Sequence, residues 1–351
     1  MRSLETRLRD QAEQCRVAGS PLTSALLEGA ADDLVAGGVV ADLLGPHRDD
    51  PTGTVPSLRL AGALHRLVLE RRAPELALHY PSVGGTAAVD QVWRAAERAC
   101  REHLELLRPL VRRPVQTNEV GRATALYGAL LLLGGPFRLL ELGSSAGLNL
   151  RCDAFAYELG DGVVLGDPAS PVRLERPWAG TLPAYQRLPE VLLRKGCDPN
   201  PIDPTTTEGR LTLTSYVWAD QLERLERLRG ALTVAEHLPA VVEPAGALAF
   251  LTRELATLPQ GMTTVVWHSV VWQYVDPAER RAVDALLAHV GATATEAAPL
   301  ARVTLEPETV GTGNFTFRVH VQRWPGGERV HVADALGHGP PVRWTGARMG
   351  R

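Results

Sequence analysis

The stretch 137–150, F-R-L-L-E-L-G-S-S-A-G-L-N-L, constrains this chain more than any other. Its mostly apolar start suits a buried parallel strand. Glu141 then stands at the strand's carboxyl end, Gly143 and Gly147 bracket two serines, and Leu148, Asn149 and Leu150 open a helical pattern expected to run to about residue 158. A strand, a tight glycine-containing turn and a helix is how α/β proteins bring backbone N–H groups and a helix N-terminus to a ligand.

The chain on either side divides unevenly. Residues 1–115 read as helices alone. Leu4, Leu8, Ala12 and Cys15 share one helical face, Ser20-Pro21 is a cap followed by proline at a first helical position, and 56–72 and 87–107 repeat the pattern between Gly/Pro loops. From 116 onward strands and helices alternate. A helix at 123–133 leads into the strand at 137. A Gly/Pro-rich insert follows at about 160–209, with short strands at 163–165 and 172–174. Strands are expected at 211–218, ending at Asp220, and at 240–242, ending at Glu243. A further strand at 263–267 ends at His268, and three more lie at 301–305, 315–321 and 329–332. Helices are expected at 221–237, 247–258 and 276–289, and Pro325-Gly326-Gly327 is a hairpin turn. The fold expected is α/β: a mainly parallel sheet with a terminal antiparallel hairpin, preceded by an all-helical N-terminal module, with domains at 1–115 and 116–351.

Composition narrows the function classes. A net charge of −3 gives no reason to expect nucleic acid as partner, and the longest apolar run, 123–133, is too short to span a bilayer. The N-terminal M-R-S-L-E-T-R-L-R-D has no apolar run and does not read as a signal peptide. Cys15, Cys100, Cys152 and Cys197 form no C-x-x-C pair, so free thiols in a reducing cytoplasm are expected, with no metal site.

Three acids, Glu141, Asp220 and Glu243, end successive expected strands, where open α/β sheets bind their ligands. A carboxylate after the second strand is placed for ribose hydroxyls, and one after the third for an adenine amine. E-L-G-S-S-A-G resembles the first motif of class I S-adenosylmethionine-dependent methyltransferases, with Ser145 in place of the central glycine, and Y-V-W-A-D-Q-L-E-R-L-E-R-L-R-G-A-L resembles that fold's second strand, ribose acid and helix. The resemblance implies a Rossmann-like domain that binds S-adenosylmethionine through Glu141, Gly143, Ser144, Ser145, Gly147, Asn149, Asp220 and Glu243. The substrate implied is a small molecule. Asp198, in G-C-D-P-N-P, competes with Asp220 for the ribose; Asp220 is preferred because a long amphipathic helix follows it. In W-H-S-V-V-W-Q-Y, after the fourth strand, His268 is the candidate general base, and Tyr274 and Trp272 shape the pocket. Asn118, Glu119 and Arg122, in Q-T-N-E-V-G-R, either cap the next helix or line the substrate cleft.

Several of these motifs, with G-C-D-P-N-P-I-D and V-W-A-D-Q, also resemble a bacterial family catalogued as domain of unknown function 2332. Two other readings stay open. Gly143 to Gly147 is also G-x-S-x-G, the nucleophile elbow of serine hydrolases, with Ser145 as nucleophile and His338 or His268 as base. Against it, an elbow belongs to a mid-sheet strand preceded by others, and only helices precede residue 137. The other is a nucleotide-binding protein of the same fold without turnover.

Overall fold

The computed structural model describes residues 2–310 and 314–347. Two compact units emerge: Met1–Thr117 with Thr206–Glu226, and Asn118–Thr205 with Arg227–Arg351.

The first unit contains α1 (Leu4–Val17), α2 (Pro21–Val35), α3 (Val39–Leu44), α4 (Pro56–Leu69), α5 (Pro74–Ala77), α6 (Val92–Glu102) and α7 (Leu104–Leu110). Ser20 caps α2 as the sequence predicts, and Ser3 caps α1. Leu8, Ala12, Cys15, Leu22, Leu26 and Leu64 pack into one core, the expected outcome of an i, i+3, i+4 apolar stripe.

The segment Thr206–Glu226 corrects the sequence reading. Instead of a strand at 211–218, Thr207–Ser215 is a helix, α9 in chain order. Thr206 caps it by accepting from the Gly209 N–H at 3.0 Å. Its buried face runs through Gly209, Thr212 and Leu213, a helical spacing hidden by small polar residues that alternate with leucine. Asp220 therefore ends no strand. Its carboxylate accepts from the Ser20 hydroxyl at 2.5 Å and the Leu22 N–H at 2.9 Å, at the start of α2. Asp220→Ala is expected to lower the unfolding free energy by about 1–2 kcal/mol, the cost of a lost helix cap, as read by urea denaturation.

In the second unit α8 (Ala123–Leu133) leads into β1 (Pro136–Leu142), β2 (Ala156–Gly160), β3 (Val163–Gly166), β4 (Arg173–Glu175), β5 (Trp178–Ala179) and β6 (Glu190–Asp198). Next along the chain come α10 (Leu222–His237), β7 (Val241–Pro244), α11 (Ala247–Glu254), β8 (Thr263–Ser269), α12 (Pro277–Gly291), β9 (Leu300–Val310), β10 (Asn314–Trp324), β11 (Arg329–Leu336) and β12 (Gly339–Trp344). Nine strands form one sheet in the order β5-β12-β11-β10-β9-β8-β1-β6-β7. Strands β7, β6, β1, β8 and β9 are parallel, and β9 to β12 form an antiparallel meander. Counted by appearance, the parallel strands stand third, second, first, fourth, fifth, so the order reverses between β1 and β8.

The second strand thus comes from inside the expected insert. Its centre is charged, yet those charges have partners: Arg194 pairs with Asp153 at 3.0 Å and Lys195 with Glu254 at 3.2 Å. The helix expected after the glycine turn is also absent. A 3-10 run over Leu148–Ala154, broken by the non-helical Arg151, feeds β2 instead. One sheet face packs Leu140, Leu142 and Val266 against Phe250 and Leu251 of α11 and Val283 and Leu287 of α12.

Candidate functional site

The carboxyl ends of β1, β6 and β8 meet where the strand order reverses, the position at which open α/β sheets leave a crevice. Gly143 and Gly147 both take φ of 66°, a backbone that side chains strain to adopt. Neither has room for one: a Cβ on Gly143 would lie 2.4 Å from Val271, and one on Gly147 2.8 Å from Val242. Ser144 donates its hydroxyl to the Glu141 carbonyl at 2.8 Å.

Ser145 stands in the left-handed region at φ 52°. The segment after β6 holds it there from both sides: Asp198 Oδ2 accepts from its N–H at 2.9 Å, and its carbonyl accepts from the Ile202 N–H at 3.1 Å. Asp198 also accepts from the Asn200 N–H at 2.8 Å. The acid at the second strand's end is therefore Asp198, the residue set aside in the sequence reading. Ser145→Gly is expected to raise stability by about 1 kcal/mol through release of that backbone strain, read as a higher urea midpoint at unchanged slope.

Asn118, Glu119 and Arg122, read from the sequence either as helix caps or as cleft residues, lie beside this turn. Asn118 Oδ1 accepts from the Leu148 N–H at 2.9 Å. The Glu119 carbonyl accepts from Asn149 Nδ2 at 3.3 Å, and the Glu119 side chain caps its own 3-10 turn through the Gly121 N–H. Arg122 reaches the carbonyls of Gly337 and Ser269 at 3.0 and 3.3 Å.

Strand alternation separates two groups that neighbour each other in sequence. Leu140 and Val266 face α11 and α12, so Glu141 and Trp267 point to the opposite face and His268 back toward the helices. Glu141 is buried, and burial pushes its carboxyl up to about 8, against the opposing pull of Trp267, Arg151, Asn149 and Arg122. Burial likewise lowers Arg151, to about 10. Arg151 is held by the carbonyls of Leu238 and Gly147 at 2.6 and 2.7 Å. Around the turn Ser145 Oγ is buried without a hydrogen-bond partner, and Glu141 Oε2, Asn149 Oδ1 and Trp267 Nε1 meet none at normal geometry, although Trp267 and Asn149 lie close enough to Glu141 to draw its carboxyl down. Such neighbouring polar atoms offer hydrogen-bonding positions to a ligand.

His268, expected as a free general base, is not free. It is buried, its Nδ1 lies 2.7 Å from Glu306 Oε1, and Arg302 donates to its Nε2 at 3.0 Å. Since the guanidinium can only donate, Nε2 accepts and Nδ1 carries the proton toward Glu306. Burial lowers its pKa, with Glu306 opposing. Trp272 stacks on its ring at 4.3 Å. Tyr274, the other expected catalytic residue, is half exposed on the segment after β8. Glu243 ends β7 beside Cys197 and is ion-paired with Arg253. Trp267, Arg302 and Glu306 went unread; the alternation that places Trp267 beside Glu141 was available in the sequence.

Fold and site together define an α/β protein with a glycine-turn site at the reversal of a mainly parallel sheet, joined to a helical unit. The chain belongs to the family described as an uncharacterized protein conserved in bacteria (DUF2332), whose model matches residues 5–344. No curated protein and no solved structure matches it. Among the described residues no group of three or more His, Cys, Asp or Glu is arranged to hold a metal ion, and no helix is long and apolar enough to cross a membrane.

Proposed function

We propose that the turn 143–147 binds S-adenosylmethionine and that the protein transfers its methyl group to a small molecule. One observation carries this reading: among the buried polar atoms at the turn without a partner at hydrogen-bond geometry, Glu141 Oε2 and Asn149 Oδ1 can accept, and Ser145 Oγ can accept or donate. Acceptors around a carboxylate call for a ligand that donates, and a cationic amine would also return Glu141 to its charged form. The amino-acid end of S-adenosylmethionine supplies that amine.

Two further features favour this cofactor over a phosphate-bearing one. A pyrophosphate needs free N–H groups at a helix N-terminus. Here the turn opens into a broken 3-10 run, and the Ser145 N–H is taken by Asp198. The strand order from β7 to β9 supports a doubly wound, Rossmann-like reading, in which ligands bind at this reversal. Asp198, at the end of β6, replaces Asp220 as the acid nearest a ribose, and Glu243 ends the neighbouring β7. The cofactor would supply an activated methyl group. The chain would orient it through Glu141 and Asn149, with Trp272 and Tyr274 at the rim. With His268 engaged on both nitrogens, the acceptor suited to this site carries its own lone pair and needs alignment more than a base.

The left-handed Ser145 keeps a hydrolase reading in view, because a nucleophile elbow holds its serine in strained backbone. Its hydroxyl, however, has no hydrogen-bond partner and so no base. A fluorophosphonate probe is expected to leave Ser145 unlabelled; labelling that Ser145→Ala removes would replace the methyltransferase reading. Titration with S-adenosylhomocysteine tests the cofactor itself.

A further inference from the structure

The segment between β8 and α12, residues 269–275, lies across the glycine turn. Val271 occupies the space that a side chain on Gly143 would need, 2.4 Å from its Cβ position. Side-chain and backbone polar contacts hold the segment down. Glu306 Oε1 accepts from the Val271 and Trp272 N–H groups, each at 3.3 Å, while it also engages His268. Trp272 stacks on the His268 ring at 4.3 Å and on the adjoining Arg302 guanidinium at 4.9 Å. Arg302 is fixed in turn by Asp284 at 2.6 Å. At its far end Arg280 binds the Val275 carbonyl at 2.8 Å, and Asp276 caps α12.

Two features oppose this closed arrangement. Val270 sits at φ 50°, a genuine outlier for a β-branched residue and a store of strain. Gln273 and Tyr274 are exposed, so little apolar burial rewards closure there. Strained backbone held by a few named contacts is the signature of a switch region.

We propose that residues 269–275 form a lid over the glycine turn, latched by Glu306 and by the His268–Trp272–Arg302 stack, which opens to admit the ligand and closes by seating Val271 on Gly143. The lid regulates access to the site assigned above and rests on that reading for its purpose, though its motion is measurable without ligand. Opening releases the Val270 strain and uncovers Gly143; closure excludes water from the face of the turn.

Hydrogen exchange of the full-length protein, followed by mass spectrometry without ligand, tests it. Peptides covering 143–146 and 269–275 are expected to exchange together, faster than the interiors of β1 and β8. Val270→Asn, which puts in a residue at ease in the left-handed region, is expected to slow that exchange roughly fivefold. Trp272→Ala, which removes the stack, is expected to speed it roughly tenfold while the fold persists. If 269–275 exchanges only with global unfolding, or if both variants leave its rate unchanged, there is no lid. S-adenosylhomocysteine binding is scored separately: lid exchange as expected without binding would overturn the cofactor, and binding without lid exchange would overturn the lid.

Discussion

Glu141→Gln is expected to remove the fall in stability that Glu141 imposes between pH 4.5 and pH 8, and most of the protein's affinity for an amine-bearing cofactor. The folded carboxyl titrates at about 8 against an ordinary 4.5, so the folded state holds a proton that the unfolded state has released. That contribution is fully present below pH 4.5, declines through the window, and is gone above pH 8. At 1.36 kcal/mol per unit, the neutral glutamine should gain roughly 3–5 kcal/mol on the wild type between pH 5 and pH 9. Urea denaturation of both proteins at the two pH values measures it. Equal slopes against pH would mean that Glu141 ionises freely in the fold. The same substitution is expected to weaken binding of S-adenosylhomocysteine roughly 100-fold at pH 8, the worth of a charge-assisted hydrogen bond in a buried site. Wild-type affinity should rise with pH until Glu141 is ionised, then level off.

His268→Ala is expected to cost about 3–5 kcal/mol of stability, far more than loss of a solvent-facing base would. The substitution leaves the Glu306 carboxylate without its nearest donor and takes from the Arg302 guanidinium one of its acceptors, Asp284 remaining, behind a largely buried stack. A buried charge stripped of one partner is among the most expensive defects a point mutation makes. Cofactor affinity should change much less than stability, because His268 faces α11 and α12 while Glu141 faces the other way. A variant with wild-type stability and no turnover would restore His268 to the role of general base.

The legible parts of the chain were those whose pattern is local. Strand β1, the glycine turn and the caps at Ser20 and Asp276 follow from residues adjacent in sequence. Asn118 and Glu119 bond to Leu148 and Asn149 just after the turn, a proximity suggested by the helix at 123–133 leading into the strand at 137. Strand β6 was hidden because Arg194 and Lys195 find Asp153 and Glu254 only once the chain has folded. Helix α9 read as a strand because threonine and serine serve on its buried face. That one misreading put Asp220 at a strand end, the place that Asp198 holds in the structure. The engagement of His268 was equally invisible: Glu306 and Arg302 lie over thirty residues downstream, and only the pairing of β8 with β9 aligns them.

Isothermal titration calorimetry of the full-length protein with S-adenosylhomocysteine, at pH 7 and pH 9, tests the central claim most directly. The account predicts saturable heat at one site per chain, tighter binding at pH 9, and thermal stabilisation that grows with ligand concentration. No heat and no stabilisation at millimolar ligand at either pH would contradict it.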